Sequence, residues 1–215
     1  MTKFSGLDEY ETSTLYDAAR RLGLETGLTG VASIAHGMRV AGPAYTVQLV
    51  AKGSQPASTR SFYDVMAAAP AGSVMVVQVG IERWISGANM SRFAHLSGIA
   101  GIVTDGCVRD AGVSRSRGYP IFSKGVSVQG YGDFLSLGAS NIDIQCAGLQ
   151  VSPNDIVVGD DDGVVILPGA RLEDILYEAQ EIAQLDKKLA AGIEAGLPLT
   201  TLDETRVQWS RRRPR

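Results

Sequence analysis

Between Ser61 and Asp105 the chain alternates helix and strand signals with little slack, and this alternation constrains the fold most. "FYDVMAAA" reads as a helix, "PAG" turns the chain, and "SVMVVQVG" is a buried strand rich in β-branched residues. A helix from about Asn89 to Leu96 follows, then the strand "GIAGIVTD", then a short helix from about Arg109. Strand, helix, strand in this order implies a parallel pair joined by a crossover helix, hence an α/β fold.

The flanks fit around that unit. "TLYDAARRLG" places Leu15, Ala18, Ala19 and Leu22 on one helical face, with Thr12 or Ser13 as cap and Gly23 as stop. "MRVAGPAYTVQLVA" reads as extended chain broken near Gly42-Pro43, because proline cannot donate to a central ladder. Beyond Pro120 come shorter β segments, ending in "DIVVGDDDGVVILP", a hairpin around Asp160, Asp161, Asp162 and Gly163 that reads as solvated. A helix from about Ala170 to Ala191 closes the fold, with Leu172, Ile175, Leu176, Ala179 and Ile182 at helical spacing. The 215 residues suit one domain, assigned to 1–199, with 200–215 as an extension ending in an arginine-rich tail.

Charge and composition exclude several classes. Arg211, Arg212, Arg213 and Arg215 stand in the last seven residues; the other 16 basic groups face 23 acidic ones, a balance of about −7. Such a body lacks the broad basic face of a nucleic-acid binder, and the tail reads as a solvated terminus. No apolar run is long enough to span a bilayer, and the polar start is neither a signal nor a transit peptide, so the expected setting is cytoplasmic. Cys107 and Cys146 are two widely spaced cysteines, with no zinc or disulfide pattern; Cys107 reads as a small buried hydrophobe. His36 and His95 have no nucleophile beside them to activate. The nucleotide, α/β-hydrolase and zincin motifs are absent.

Chemistry concentrates in "GIVTDGCVRDAGV". Arg109 and Asp110 follow the end of a strand, where open α/β folds bind ligands. A guanidinium grips a carboxylate through two parallel hydrogen bonds, and a neighbouring aspartate can supply one ligand to Mg²⁺. An ordinary ion pair at a helix start is the competing structural reading. The stretch "ISGANMSRF" adds a second anion-handling element: Gly87 and the following N–H groups open a helix.

Taken with "VAGPAYTV", "YPIFSKG" and "VSPNDIVVGDDDGVVILP", the "DGCVRD" stretch resembles the family of class II 4-hydroxy-4-methyl-2-oxoglutarate aldolases and the regulator of ribonuclease E activity A. The similarity runs from about Ser13 to Gly192. It implies a swivelling β/β/α domain of the RraA-like type with a C-terminal helix, assembled as homotrimers or hexamers with sites between subunits. It also implies substrate-carboxylate binding by Arg109 and Mg²⁺ or another divalent cation on Asp110. Gly87, Ala88, Asn89 and Met90 would form the floor, and Glu181 would come from a neighbouring subunit. The family's aldolases carry an acid, twenty residues, Arg-Asp, two residues and another acid; here those acids fall on Ala88 and Val113. The expected function is a divergent carbon–carbon lyase acting on a small 2-keto or other carboxylated acid through a metal-stabilised enolate. The alternatives are a non-catalytic regulator that binds a protein, or a repurposed site with different chemistry to which Asn89, Glu82 or Glu181 lends a polar group.

Overall fold

The computed structural model describes residues 7–53, 58 and 60–209. The arginine tail therefore lies outside the described residues. The crossover unit forms as the sequence dictates: β1 (Ala32–Ser33) and β2 (Val40–Ala51) lead to α2 (Phe62–Ala68), after α1 (Thr12–Arg21). Then follow β3 (Val74–Gln78), β4 (Trp84–Ser86), α3 (Ala88–Leu96), β5 (Gly101–Thr104), β6 (Cys107–Val108) and α4 (Ala111–Ser116). Strands β3 and β5 pair in parallel, as a strand–helix–strand crossover requires. Ser61 and Asp64 make a reciprocal capping box that starts α2.

The remaining strands are β7 (Ile121–Ser123), β8 (Gly125–Val126), β9 (Leu135–Ser140), β10 (Ile144–Cys146), β11 (Leu149–Val151), β12 (Ile156–Asp160) and β13 (Gly163–Leu167). The main sheet runs β1-β7-β5-β3-β2-β12-β13, with β9 also paired to β2. The segment before β1 almost closes it into a barrel. Leu28 N–H donates to Val164 and Ile166 N–H to Thr26, while Ala32 and Ser33 pair with β7. Val74, Val76, Val103, Phe122, Val157 and Ile166 fill the interior. The alternate residues Met75, Val77, Ile102 and Ile121 pack outward beneath Val65, Met66 and Ala94 of α2 and α3. Burial on both faces explains why these strands read as continuous apolar runs.

Three expectations are corrected. The extended segment is not broken at Gly42-Pro43: β2 is one strand of 12 residues. Its first part pairs with β12 up to Pro43, and its pairing with β3 begins at Ala44. Proline sits at the change of partner, where its missing N–H interrupts neither ladder. Neither Thr12 nor Ser13 caps α1, because Glu11 holds the cap position without a side-chain bond. The first-turn donors go to Asp160 instead, whose carboxylate accepts from Thr12 N–H at 2.8 Å and Thr12 Oγ1 at 2.6 Å. Asp160 is consequently buried, at 3% exposure, and only its neighbours Asp161 and Asp162 are exposed.

The closing helix α5 (Leu172–Glu194) packs Ile175, Ala179 and Ile182 against Leu15, Ala18 and Ala19 of α1. A further helix, α6 (Leu199–Trp209), lies on α5. Its last carbonyls, on Gln208 and Trp209, accept from the buried Arg21 guanidinium, which also pairs with Glu178 at 3.3 Å. Among the described residues no helix is long and apolar enough to cross a membrane.

Candidate functional site

A second, smaller sheet builds the site. Strands β4, β6 and β8 lie parallel in that order, and their carboxyl ends deliver Gly87, Arg109 and Ser127 to one edge. The backbone stitches them together: Arg109 N–H donates to Ser86, and Ser127 N–H donates to Val108. Arg109-Asp110 thus follows β6 rather than β5. The turn between those strands is fixed by Asp105, a buried carboxylate that accepts from Val79, Gly80 and Ala147 N–H groups. Cys107 sits behind the site as a buried free thiol, and burial pushes its pKa up. It is the small buried residue its sequence context suggested.

Asp110 begins α4 yet does not cap it. Its backbone is left-handed, with φ of 54°, and its carboxylate turns away to accept Ala88 N–H at 3.1 Å. The two anion-handling elements therefore do meet, and the chain's own carboxylate takes the first N–H of α3. Arg109 Nε lies 3.7 Å from the same oxygen. Gly87 makes this convergence possible: a Cβ there would stand 2.7 Å from Asp110 Oδ2 and 3.1 Å from Arg109 Cγ and Nε. Among the described residues, no hydrogen-bond acceptor engages the Arg109 guanidinium, whose side chain is 49% exposed. That leaves guanidinium N–H groups accessible to solvent.

The other candidates fall out as follows. Asn89 is exposed at the mouth, while Met90 packs its side chain toward the core and offers only its backbone. Ala88 opens α3 and Val113 lies on α4, both without charge, Val113 being 46% exposed. Glu181 is on α5, 3.7 Å from Arg21 and 3.5 Å from the Tyr177 hydroxyl, on the α1 side of the molecule. Within one chain it is not brought to Arg109. His95 stacks edge-on with Tyr119, and His36 stands in solvent 3.6 Å from Asp161.

Sequence reasoning missed two participants. Trp84 lies under Arg109, with the guanidinium carbon 3.8 Å from the ring centroid. Arg117 donates to the Ala88 carbonyl at 2.7 Å. The "RWISG" spacing held the only available signal for Trp84: a residue two before Ser86 on an extended strand shares its face.

Whether these residues fit a divalent cation follows from their donor chemistry. Among the described residues no three His, Cys, Asp or Glu side chains gather. Asp110 offers one carboxylate, with one oxygen already committed to Ala88 N–H. The positions that match the family's two further acids, Ala88 and Val113, carry only methyl groups. Asp110 alone is a thin donor set, leaving one carboxylate oxygen for a cation that would keep most of its waters, and the chemistry derived below rests on Arg109 and the backbone.

Comparison with known proteins bears on the fold and the family. A crystal structure of an uncharacterized protein from Pseudomonas syringae pv. tomato is 29% identical, covers 93% of this chain and 94% of its own, and superposes with a TM-score of 0.80. Streptomyces coelicolor RraAS2, described as an unusual member of the RNase ES inhibitor RraA protein family, is 29% identical with a TM-score of 0.76, over 84% of this chain and 91% of its own. In sequence, a Halalkalibacterium halodurans protein named "Putative 4-hydroxy-4-methyl-2-oxoglutarate aldolase" is 35% identical over 66% of each chain. Legionella pneumophila protein DlpA is 26% identical over 94% of this chain, which spans only 33% of DlpA's length. The matching family model covers residues 12–166, and the chain belongs to the RraA-like family, Aldolase/RraA.

Proposed function

We propose that the chain is an aldolase-type carbon–carbon lyase acting on a small 2-oxo acid, with Arg109 as its carboxylate clamp. The observation that carries this reading is the half-exposed guanidinium of Arg109, paired among the described residues only to Asp110 at 3.7 Å, beside the first turn of α3. The substrate's C1 carboxylate takes the fork bidentately. The adjacent carbonyl oxygen lies toward the N–H groups of Asn89 and Met90, which act as an oxyanion site. For a β-keto acid such as oxaloacetate, the bond from C3 to the distal carboxylate breaks and carbon dioxide leaves. The electron pair moves onto the carbonyl oxygen as an enolate, and solvent returns a proton to C3. Asp110 holds the floor by tying down Ala88 N–H and aligning Arg109 Nε. Glu181 would join only from a neighbouring subunit of a trimer.

The test is pyruvate release from oxaloacetate, with Mg²⁺ and with a chelator, in the parent chain, Arg109→Ala and Asp110→Asn. Arg109→Ala should reduce turnover by about 100-fold, the order seen when a transition-state donor is removed. Turnover no greater than the metal-only background would overturn the lyase reading. A second reading, a protein-binding regulator, is favoured by Ala88 and Val113, which remove the family's acids while leaving the fold intact. Under that reading Arg109→Ala leaves partner binding unchanged.

A further inference from the structure

Trp84 is held more firmly than a half-exposed aromatic on a three-residue strand requires. Its backbone N–H donates to Gln129, and its indole Nε1 donates to the Val128 carbonyl at 3.1 Å. The ring lies against Gly130, where a Cβ would come within 3.0 Å of Cζ2 and press the ring out of place. Tyr131 closes the outer edge, with its ring edge-on at a centroid separation of 6.5 Å. Val128, whose carbonyl takes the indole proton, is 94% exposed, so the segment gains nothing from burying that side chain. What the arrangement fixes is the face of the indole, and the Arg109 guanidinium lies on that face at 3.8 Å.

We propose that Trp84 is the positioning residue for Arg109: the indole face holds the guanidinium flat, so that its N–H edge faces the substrate carboxylate. A stacked guanidinium keeps its in-plane donors free, because the ring engages only its π surface. Asp110 meets the same group from the Nε side at 3.7 Å, at the limit of an ion pair, so stack and carboxylate together define its plane. An arginine held this way loses less freedom on gripping a carboxylate than one free to rotate. The stack also makes Trp84 a built-in reporter, since the chain has two tryptophans, Trp84 and Trp209.

The inference rests on the carboxylate-site reading above, and the experiment separates the two. In a Trp209→Phe background, Trp84 emission is recorded without ligand and then during titration with oxalate. Arg109→Ala in that background should change the ligand-free emission, because the stacked cation is gone. Oxalate should shift the emission of the parent background and not that of the Arg109→Ala protein. Calorimetry then compares Trp84→Phe, which keeps an aromatic face, with Trp84→Leu, which keeps apolar bulk without one. Trp84→Leu should bind oxalate about 5–10-fold more weakly, the order expected for a partly desolvated cation–π contact, and Trp84→Phe should retain most of the affinity. In turnover the loss should fall on KM more than on kcat. Equal oxalate affinity in the parent and Trp84→Leu, with binding lost in Arg109→Ala, overturns the positioning role and leaves the carboxylate site standing. No oxalate binding by the parent, or undiminished binding by Arg109→Ala, overturns the carboxylate reading and the positioning role with it.

Discussion

Two carboxylates in this chain reach the first turn of a helix far from them in sequence: Asp160 meets α1 at Thr12, and Asp110 meets α3 at Ala88. Asp160 is buried and accepts three hydrogen bonds, from Thr12 N–H, Thr12 Oγ1 and Asp162 N–H. Asp110 is 44% exposed, accepts one bond at 3.1 Å and leaves its arginine neighbour at 3.7 Å. The same device is complete in one place and unfinished in the other. A complete one fastens elements together. An unfinished one leaves donors and charge for something outside the chain.

The comparison is easiest to break at Asp160. Asp160→Ala strands buried donors of Thr12 and should cost about 2–4 kcal/mol in urea unfolding, while leaving oxalate binding untouched. A cost below about 0.5 kcal/mol would mean that α1 does not depend on this carboxylate.

Acid should expose the same contribution. Burial alone would raise the Asp160 pKa, but the bonds from Thr12 and Asp162 outweigh it and hold the value below the ordinary carboxylate range. A depressed folded value gives stability that is full above the unfolded pKa of about 4 and is lost as pH falls through the folded one. The stability gap between the parent and Asp160→Asn should therefore narrow as the pH is lowered from about 5 toward about 2, the range over which a carboxylate of depressed pKa takes up its proton. A gap that stays constant would show that the carboxylate charge is not what holds α1.

Gly87→Ala sharpens the other side. The new methyl presses on Asp110 Oδ2 and on the flexible Arg109 side chain, while the φ of −134° suits any residue. Oxalate affinity should fall roughly 10-fold or more, as displacement of a positioning group by a fraction of an ångström implies, with little change in the unfolding midpoint. Smallest is the stability effect of Asp110→Asn, within about 0.5 kcal/mol, since an exposed pair contributes little and asparagine tolerates the left-handed backbone. A larger loss would make Asp110 a second Asp160.

Much of the fold was legible because its signals are local. The helix signal of α2, the alternation through β3, α3 and β5, and the apolar stripe of α5 each sit within a short window. What escaped needed partners distant in sequence. Strand β4 is three residues long and exists through pairing with β6; β9 exists through pairing with β2. Pro43 broke the sequence pattern, but not the strand, because β2 changes neighbours there. At the site, Arg109 and Asp110 were legible as charges after a turn, and Gly87 as the opening of a helix. That Asp110 bonds to α3 instead of capping α4 could not be read, because it depends on a positive φ.

The sequence by itself determined the α/β class, the crossover unit, the family resemblance and the turn that carries Arg109 and Asp110, because periodicity, turn chemistry and spacing act over a few residues. Only the tertiary structure decided which carboxylate is spent and which is left open. That outcome depends on how far Asp160 and Asp110 each lie from N–H groups 148 and 22 residues away, a distance set by packing. The indole beneath Arg109 was decided the same way, by the parallel pairing of β4 with β6.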